Sequence, residues 1–189
     1  AALSKMDAVA GDAGSKRPGT TDFMIIGAGI SGLSVAAALN QDASTSELVI
    51  LEKSLTFGGV WRAFGNFHSR VNSTEPAYRM RVKRNRQNTD HSYFFEIVDD
   101  ITRLLTQYNL VERSILGANV TNVGAPPCSS QMFAGGTQTC GALCEKFVLM
   151  AKNLVVLCTN RRLGPARQVH YDGEEMFHGA IRRGLSGDN

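Results

Sequence analysis

Residues 22–32 carry the sequence DFMIIGAGISG, an apolar run that leads directly into three glycines. The run at 22–27 predicts a short buried strand, because a few apolar residues bounded by glycine are typical of strands in parallel sheets. Apolar residues recur at helical spacing over 30–40, which predicts a helix directly after the glycines. A G-x-G-x-x-G pattern therefore lies between a strand and a helix, formed by Gly27, Gly29 and Gly32.

A second apolar run, ELVILE at residues 47–52, predicts a strand that ends in an acidic residue. Glu52 follows Gly32 by about 20 residues, which is the spacing of a dinucleotide-binding strand–helix–strand unit. In such a unit the first glycine allows the tight turn, the second lets the backbone approach a pyrophosphate, and the third lets the helix pack on the sheet. The helix N-terminus attracts the phosphates, and the carboxylate accepts hydrogen bonds from ribose hydroxyls.

These features predict a site for FAD or NAD. Glu52 argues against NADP, because its carboxylate would repel a phosphate on the ribose 2′ position. The alternative is a glycine-rich turn that binds no ligand, since the pattern also arises by chance and this chain holds 19 glycines.

A second glycine motif, Gly58-Gly59-Val60-Trp61-Arg62, follows Glu52. A glycine pair followed by an aromatic ring and a cation suits a loop that folds back over a bound nucleotide, because glycine removes bulk and arginine adds positive charge. The alternative for Trp61 is ordinary packing in the hydrophobic core.

The middle of the chain predicts a long connection followed by a strong helix. Residues 56–90 lack a regular pattern, whereas residues 92–110 carry apolar residues at intervals of three and four, with Ser92 as a candidate cap. The connection contains a basic run, for which a solvated face is favoured over a contact with phosphate, cofactor or an acidic partner: Arg79, Arg81, Lys83, Arg84 and Arg86.

The last third of the chain predicts further strands. Residues 118–123 and 146–150 are predicted as an antiparallel pair, and residues 153–159 as a third buried strand. Between the first two, a loop or hairpin insertion is predicted from Pro126, Pro127, Gly135 and Gly136. Residues 1–20 are rich in Ala, Gly, Ser and Lys and predict a flexible arm, which leaves residues 21–189 as one domain.

Composition excludes several classes of protein. The chain has 189 residues, 43% of them hydrophobic, which is enough for one core and excludes a wholly disordered chain. No apolar run is long enough for a membrane-spanning helix, and a net charge of +3 is too small to predict nucleic-acid binding. The histidines and the four cysteines lack metal-ligand spacing, so we expect no metal site and free thiols in a reducing compartment.

The glycine motifs resemble a known family. The string DFMIIGAGISGLSVAAALN, followed by ELVILEKSLTFGGVW, is similar to the FAD-binding start of class B flavin-dependent monooxygenases. The run E-K-x4-G-G-x-W, from Glu52 to Trp61, is the most specific part of this resemblance. The segments SRVNSTEPAYRM at 69–80 and LVVLCTN at 154–160 also resemble parts of the family that surround the flavin.

The resemblance implies an α/β fold, a Rossmann-like FAD-binding domain with a parallel sheet. It also implies that NADPH reduces the flavin, which then uses O2 to oxygenate a substrate. Around the nucleotide it places Lys53, Gly59, Trp61 and Arg62, in addition to the pyrophosphate glycines and Glu52. No catalytic base is identified, since the family relies on its cofactors for the chemistry.

The chain departs from the family in three respects. It contains no second glycine fingerprint, so we expect it to be truncated before the NADPH-binding domain, with NADPH available only through a missing segment or a partner. The family signature F-x-G-x-x-x-H before that domain aligns with Phe177, but Arg183 replaces the histidine and Gly187 the final aromatic residue. Asn160 stands where the family has glycine after threonine.

Three interpretations remain open at this point. The chain is a fragment or remnant of an NADPH- and O2-dependent oxygenase, a half-enzyme completed by another subunit, or a non-catalytic subunit recruited into a larger assembly, such as an organellar membrane complex. The compartment is undetermined between the interior of a plastid or mitochondrion and the cytoplasm.

Overall fold

The computed structural model describes residues 19–42, 47–140, 143–159, 170–179 and 181. These residues form the strands β1 (Gly19–Ile26), β2 (Leu48–Glu52), β3 (Ser114–Leu116), β4 (Ala118–Gly124), β5 (Met132–Cys140) and β6 (Leu143–Leu157). They also form the helices α1 (Ile30–Asp42), α2 (Val60–Phe64) and α3 (Phe94–Gln107), with 3-10 turns at Glu75–Tyr78, Val111–Arg113 and Glu174–Met176. The strands make a six-stranded sheet in the order β3-β2-β1-β6-β5-β4.

One half of the sheet is parallel. Strand β1 pairs in parallel with β2 and β6, and β2 pairs in parallel with β3. Helix α1 connects β1 to β2, and α1 and α3 contribute to a core cluster that includes Ile25, Leu33 and Ile50. The predicted α/β Rossmann-like fold is therefore confirmed. It places the first glycine motif at the carboxyl end of β1, where ligands bind in open α/β sheets.

Helix α3 supplies one side of this core. Four buried apolar side chains follow its helical period, each worth roughly 1.5–3 kcal/mol on full burial: Ile97, Ile101, Leu104 and Leu105. The helix is confirmed, but it starts at Phe94 and Ser92 does not cap it. The Ser92 hydroxyl donates instead to the Thr89 carbonyl. The Glu96 carboxylate reaches back to accept a hydrogen bond from the Tyr93 N–H.

The other half of the sheet is antiparallel and differs from the prediction. The segments 118–123 and 146–150 are strands, but both pair with β5 rather than with each other. Gly135 and Gly136 lie within β5 and not in a loop. An added Cβ on Gly136 would lie 2.0 Å from the Asn119 carbonyl oxygen, so here glycine permits the close approach of two strands.

Strand β6 is continuous across the two strands predicted at 146–150 and 153–159. Its first part pairs with β5 and its last part with β1, so one long strand joins the two halves of the sheet. Residues 151–152, which the prediction left between the two strands, lie within β6, and Lys152 is exposed there. Strand β3 was not predicted, because three residues carry too little periodicity.

The N-terminal boundary also differs by two residues. Strand β1 begins at Gly19, which pairs with Leu149, so residues 19–20 belong to the sheet and not to the predicted arm. The rest of that arm lies outside the described residues, and the extent of the domain to residue 189 stays a prediction. Among the described residues, no helix is long and apolar enough to cross a membrane.

Candidate functional site

Two glycines of the first motif are required by the fold itself. Gly27 has a φ of 106°, and an added Cβ there would lie 2.7 Å from the Cys158 carbonyl oxygen. An added Cβ on Gly32 would lie 1.8 Å from the Gly27 carbonyl oxygen. Backbone atoms cannot move away as the end of a side chain can, so both positions exclude every other residue type.

Gly29 differs from its two neighbours because the protein leaves room beside it. The nearest atom to an added Cβ is the Gly59 Cα at 3.7 Å, an ordinary van der Waals distance. The Gly29 carbonyl accepts the hydrogen bond from the Leu33 N–H, which places Gly29 at the N-cap of α1. The first N–H groups of a helix have no intrahelical partner and carry partial positive charge. Gly29 therefore leaves an open approach to an anion-binding helix terminus.

Glu52 ties the first glycine motif to the end of β2. The residue is buried, with 8% of its surface exposed. One carboxylate oxygen accepts the Ala28 N–H at 2.7 Å, and the other accepts the Ser54 N–H at 2.8 Å. A carboxylate has about four acceptor positions, so two remain available for a diol. The sequence predicted a ribose contact for Glu52 but not this second role in holding the loop.

We expect Glu52→Gln to destabilise the protein by about 1–3 kcal/mol, because the amide NH2 would face one of the two backbone N–H donors and leave it unpaired. Thermal and urea unfolding measure this loss. Glu145→Gln, at an exposed position in β6, is the matched control and should change stability by less than about 0.5 kcal/mol. Equal stability of the two variants would contradict the role assigned to Glu52.

The second glycine motif lies directly against the first. The Gly58 N–H donates to the Ala28 carbonyl at 2.9 Å. Gly59 has a φ of 55°, and an added Cβ there would lie 3.0 Å from the Gly29 Cα. Gly58 was quoted in the sequence motif but not selected as a site residue, although the structure gives it the hydrogen bond that joins the two motifs.

The three remaining predicted site residues lie near these turns, one partly buried and two exposed. Trp61, in α2, packs against the core cluster, and its indole N–H donates to the Tyr78 hydroxyl at 2.8 Å. Arg62 is exposed but lies beside Gly58, whose added Cβ would be 3.1 Å from the Arg62 Cβ. Lys53 is exposed at the end of β2. The structure thus brings the five glycines and Glu52 together, with Trp61 partly buried against the core cluster.

The basic run is mostly exposed, as expected of a solvated face, but Arg84 is largely buried within an ion-pair cluster. Arg84 pairs with both Glu75 and Asp100, and Arg79 pairs with Glu75. Asp100 lies on the buried face of α3, between apolar residues. A charged residue within an apolar stripe indicates a buried partner, so the place of Asp100 in the helical pattern is the sequence signal for this ion pair.

Two carboxyl groups in this region make stability sensitive to acid. Hydrogen bonds from Arg79 and Arg84 outweigh burial and hold the pKa of Glu75 below its ordinary value. Burial favours protonated Glu96, but the hydrogen bonds from Thr89 and from the Tyr93 N–H outweigh it and lower the Glu96 pKa. A pKa lowered by folding gives stability that is present above the unfolded pKa and lost as the pH falls through the folded pKa.

We therefore expect Glu96→Gln to have a lower melting temperature than the unchanged protein near neutral pH. The difference in melting temperature between the two proteins should become smaller as the pH falls below 4.5, the ordinary glutamate pKa. Burial raises the pKa of Asp100 and acts in the opposite sense, but Asp100 is present in both proteins and cancels in the comparison. Melting curves between neutral and acidic pH measure this, and a difference that does not change with pH would contradict the assignment.

The remaining residues that the sequence singled out are exposed or lie outside the described residues. No cluster of three or more His, Cys, Asp or Glu side chains among the described residues is arranged to hold a metal ion. Phe177 and His178 are exposed. Asn160, Arg183 and Gly187 fall outside the described residues.

Comparison with known proteins defines the class first. Residues 25–87 match the family model described as an NAD(P)-binding Rossmann-like domain, which covers both glycine motifs. Solved structures share the fold. A steroid monooxygenase bound to NADP has a TM-score of 0.64 at 16% identity, over 82% of this chain and 29% of its own. The enzyme OTEMO in complex with FAD and NADP has a TM-score of 0.63 at 17% identity, over 86% of this chain and 29% of its own.

A curated protein is similar to a short segment of the chain. The probable FAD-binding monooxygenase AlmA of Acinetobacter baylyi is 44% identical over 43 residues, which are 23% of this chain and 9% of that protein. The polycyclic ketone monooxygenase of Thermothelomyces thermophila has a TM-score of 0.60 at 20% identity, over 80% of this chain and 25% of its own. The resemblance to class B flavin-dependent monooxygenases is thereby confirmed, for a chain that spans less than a third of those structures.

Proposed function

We propose that this chain binds FAD through the two joined glycine motifs. The observation that carries the proposal is the room for a Cβ at Gly29, at the N-terminus of α1, whereas a Cβ on Gly27 or Gly32 would clash with backbone. The pyrophosphate would lie over Gly27, Gly29 and Gly32, and Glu52 would accept hydrogen bonds from the adenosine ribose through its two remaining acceptor positions.

The remaining predicted residues would complete the nucleotide site. Gly59 lies against Gly29 and would border the pyrophosphate. The cations Lys53, directly after β2, and Arg62, in α2, are exposed and would add positive charge near it. Trp61 would support the second glycine turn and not touch the nucleotide, since its indole packs against the core cluster.

The bound flavin would supply redox chemistry, and the chain would supply binding and orientation. We further propose that the domain serves an oxygenase that uses NADPH and O2. The support is the 44% identity with the FAD-binding monooxygenase AlmA across a short segment and the fold shared with ketone and steroid monooxygenases. NADPH would be bound by a further segment or by another subunit.

The test is a titration of the flavin-free protein, followed by the fluorescence of Trp61, the only tryptophan of the chain. FAD should quench this fluorescence saturably, and ADP should compete with it, because the site is built for the ADP half. FMN, which lacks that half, should not bind. A 2′-phosphorylated ADP should bind at least about tenfold more weakly than ADP, because the phosphate would face the Glu52 carboxylate. Absence of saturable FAD binding would overturn the proposal.

A further inference from the structure

A buried ion-pair cluster lies behind the second glycine motif. Arg84 bridges two acids, with Glu75 at 2.6 Å and both oxygens of Asp100 at 2.5 and 2.8 Å. The exposed fractions of the three side chains are 10% for Arg84, 6% for Glu75 and 2% for Asp100. Asn88 adds a hydrogen bond to Asp100 at 2.8 Å. Glu75 also pairs with the exposed Arg79, but among the described residues Arg84 makes the only ion pair of Asp100. Moving Arg84 would therefore leave the buried Asp100 carboxylate without its counter-charge.

The cluster fixes the short turn Glu75–Tyr78 to helix α3. Arg84 connects Glu75, the first residue of the turn, to Asp100 on the helix. The Glu75 backbone N–H also donates to the Asp90 carboxylate at 3.0 Å. The turn is therefore held through both the side chain and the backbone of its first residue.

Tyr78, the last residue of that turn, holds helix α2. Its hydroxyl accepts the Trp61 indole N–H at 2.8 Å, and the two rings meet edge to face with centroids 6.0 Å apart. Helix α2 has only five residues. A helix this short is unstable by itself, so its position depends on such tertiary contacts. Because α2 begins directly after Gly59, whatever fixes Trp61 also fixes the second glycine turn.

We propose that Arg84, with Glu75 and Asp100, positions the Gly58–Gly59 turn against Gly29 through the Tyr78–Trp61 hydrogen bond, and thereby sets the affinity for the dinucleotide. The effect on affinity rests on the proposed FAD binding, whereas the effect on Trp61 does not. None of these three charged residues belongs to the glycine motifs. They are positioning residues, and Arg84 thereby differs from the exposed members of the basic run.

The test compares three variants of the full chain. Arg84→Met removes the bridge, Tyr78→Phe removes only the hydroxyl that Trp61 binds, and Arg103→Met is the control. Arg103 lies on α3, as Asp100 does, and pairs with Asp99, but the exposed fractions of these two side chains are 39% and 57%. The first readout is acrylamide quenching of Trp61 fluorescence without flavin, and the second is the Kd for FAD.

We expect Arg84→Met and Tyr78→Phe each to increase quenching of Trp61 and to weaken FAD binding about threefold to thirtyfold. The control should change neither. The double variant should weaken FAD binding no more than the stronger single variant, because both changes break one chain of contacts. Unchanged quenching in Tyr78→Phe, or additive effects in the double variant, would overturn the proposal.

The two proposals fail in different ways. If the unchanged protein binds no FAD, the proposed function is wrong and the quenching of Trp61 alone decides the positioning role. If FAD binds but the Arg84 and Tyr78 variants match the control in both readouts, the positioning role is wrong. Should Arg84→Met not fold, Tyr78→Phe still decides, because it leaves the ion-pair cluster intact.

Discussion

Gly29→Asp is expected to abolish FAD binding and to leave the domain folded. The new carboxylate would enter the space that the proposed pyrophosphate occupies, and it would add negative charge against negative charge. The fold has room for the side chain, since the nearest atom to an added Cβ is 3.7 Å away. Aspartate is also a favourable N-cap residue, so α1 keeps its first turn. Flavin content after reconstitution and the melting temperature measure the two effects.

Gly29→Ala is the matched control for this change. It adds bulk without charge at the same position, so FAD binding should weaken but remain measurable. We expect the aspartate variant to lose at least about a hundredfold in affinity, which corresponds to ~2.7 kcal/mol. Stoichiometric flavin in the purified Gly29→Asp protein would contradict the proposal that this loop binds the pyrophosphate.

Gly32→Ala is expected to unfold the domain or to destabilise it by more than about 4 kcal/mol. The added Cβ would lie 1.8 Å from the Gly27 carbonyl oxygen and 3.3 Å from the Ile25 side chain. Relief requires α1 to move away from β1, which separates the packed core between them. Circular dichroism and urea unfolding measure the loss.

The comparison of Gly32→Ala with Gly29→Ala separates the two kinds of glycine in one motif. The structure predicts collapse of the first variant and a stable fold for the second. A Gly32→Ala protein with the melting temperature of the unchanged chain would show that the contact between α1 and the glycine loop is not as close as described.

The sequence predicted the parallel half of the fold because its signals are local. Glycine spacing, an apolar strand on either side and an acid at the end of β2 all lie within residues 22–52. Helix α3 was equally predictable from its period, because one face of it is buried and the other is exposed. These elements need no knowledge of distant partners.

The antiparallel half was harder because pairing is not local. Gly135 and Gly136 are turn formers in most contexts, and only the approach of β4 explains their place in a strand. Strand β6 contains polar residues at exposed positions where its pairing changes from β5 to β1. The local sequence of β6 does not show that this single strand pairs with two different strands.

The residues of the site were predictable from the sequence, but the hydrogen bonds and ion pairs between them were not. Residue types and spacing indicated Glu52 and the glycines, but not that Glu52 would hold two backbone N–H groups. The ion pairs of Arg84 join residues 75, 84 and 100, which lie in three different segments. Such contacts depend on the tertiary fold, so a run of basic residues alone indicated only positive charge.

The most direct test of FAD binding is the visible absorption spectrum of the purified native protein, followed by release of the flavin on denaturation. We predict flavin absorption bands and one FAD released per chain. Protein that carries no flavin, and that acquires none on incubation with FAD, would contradict the central claim.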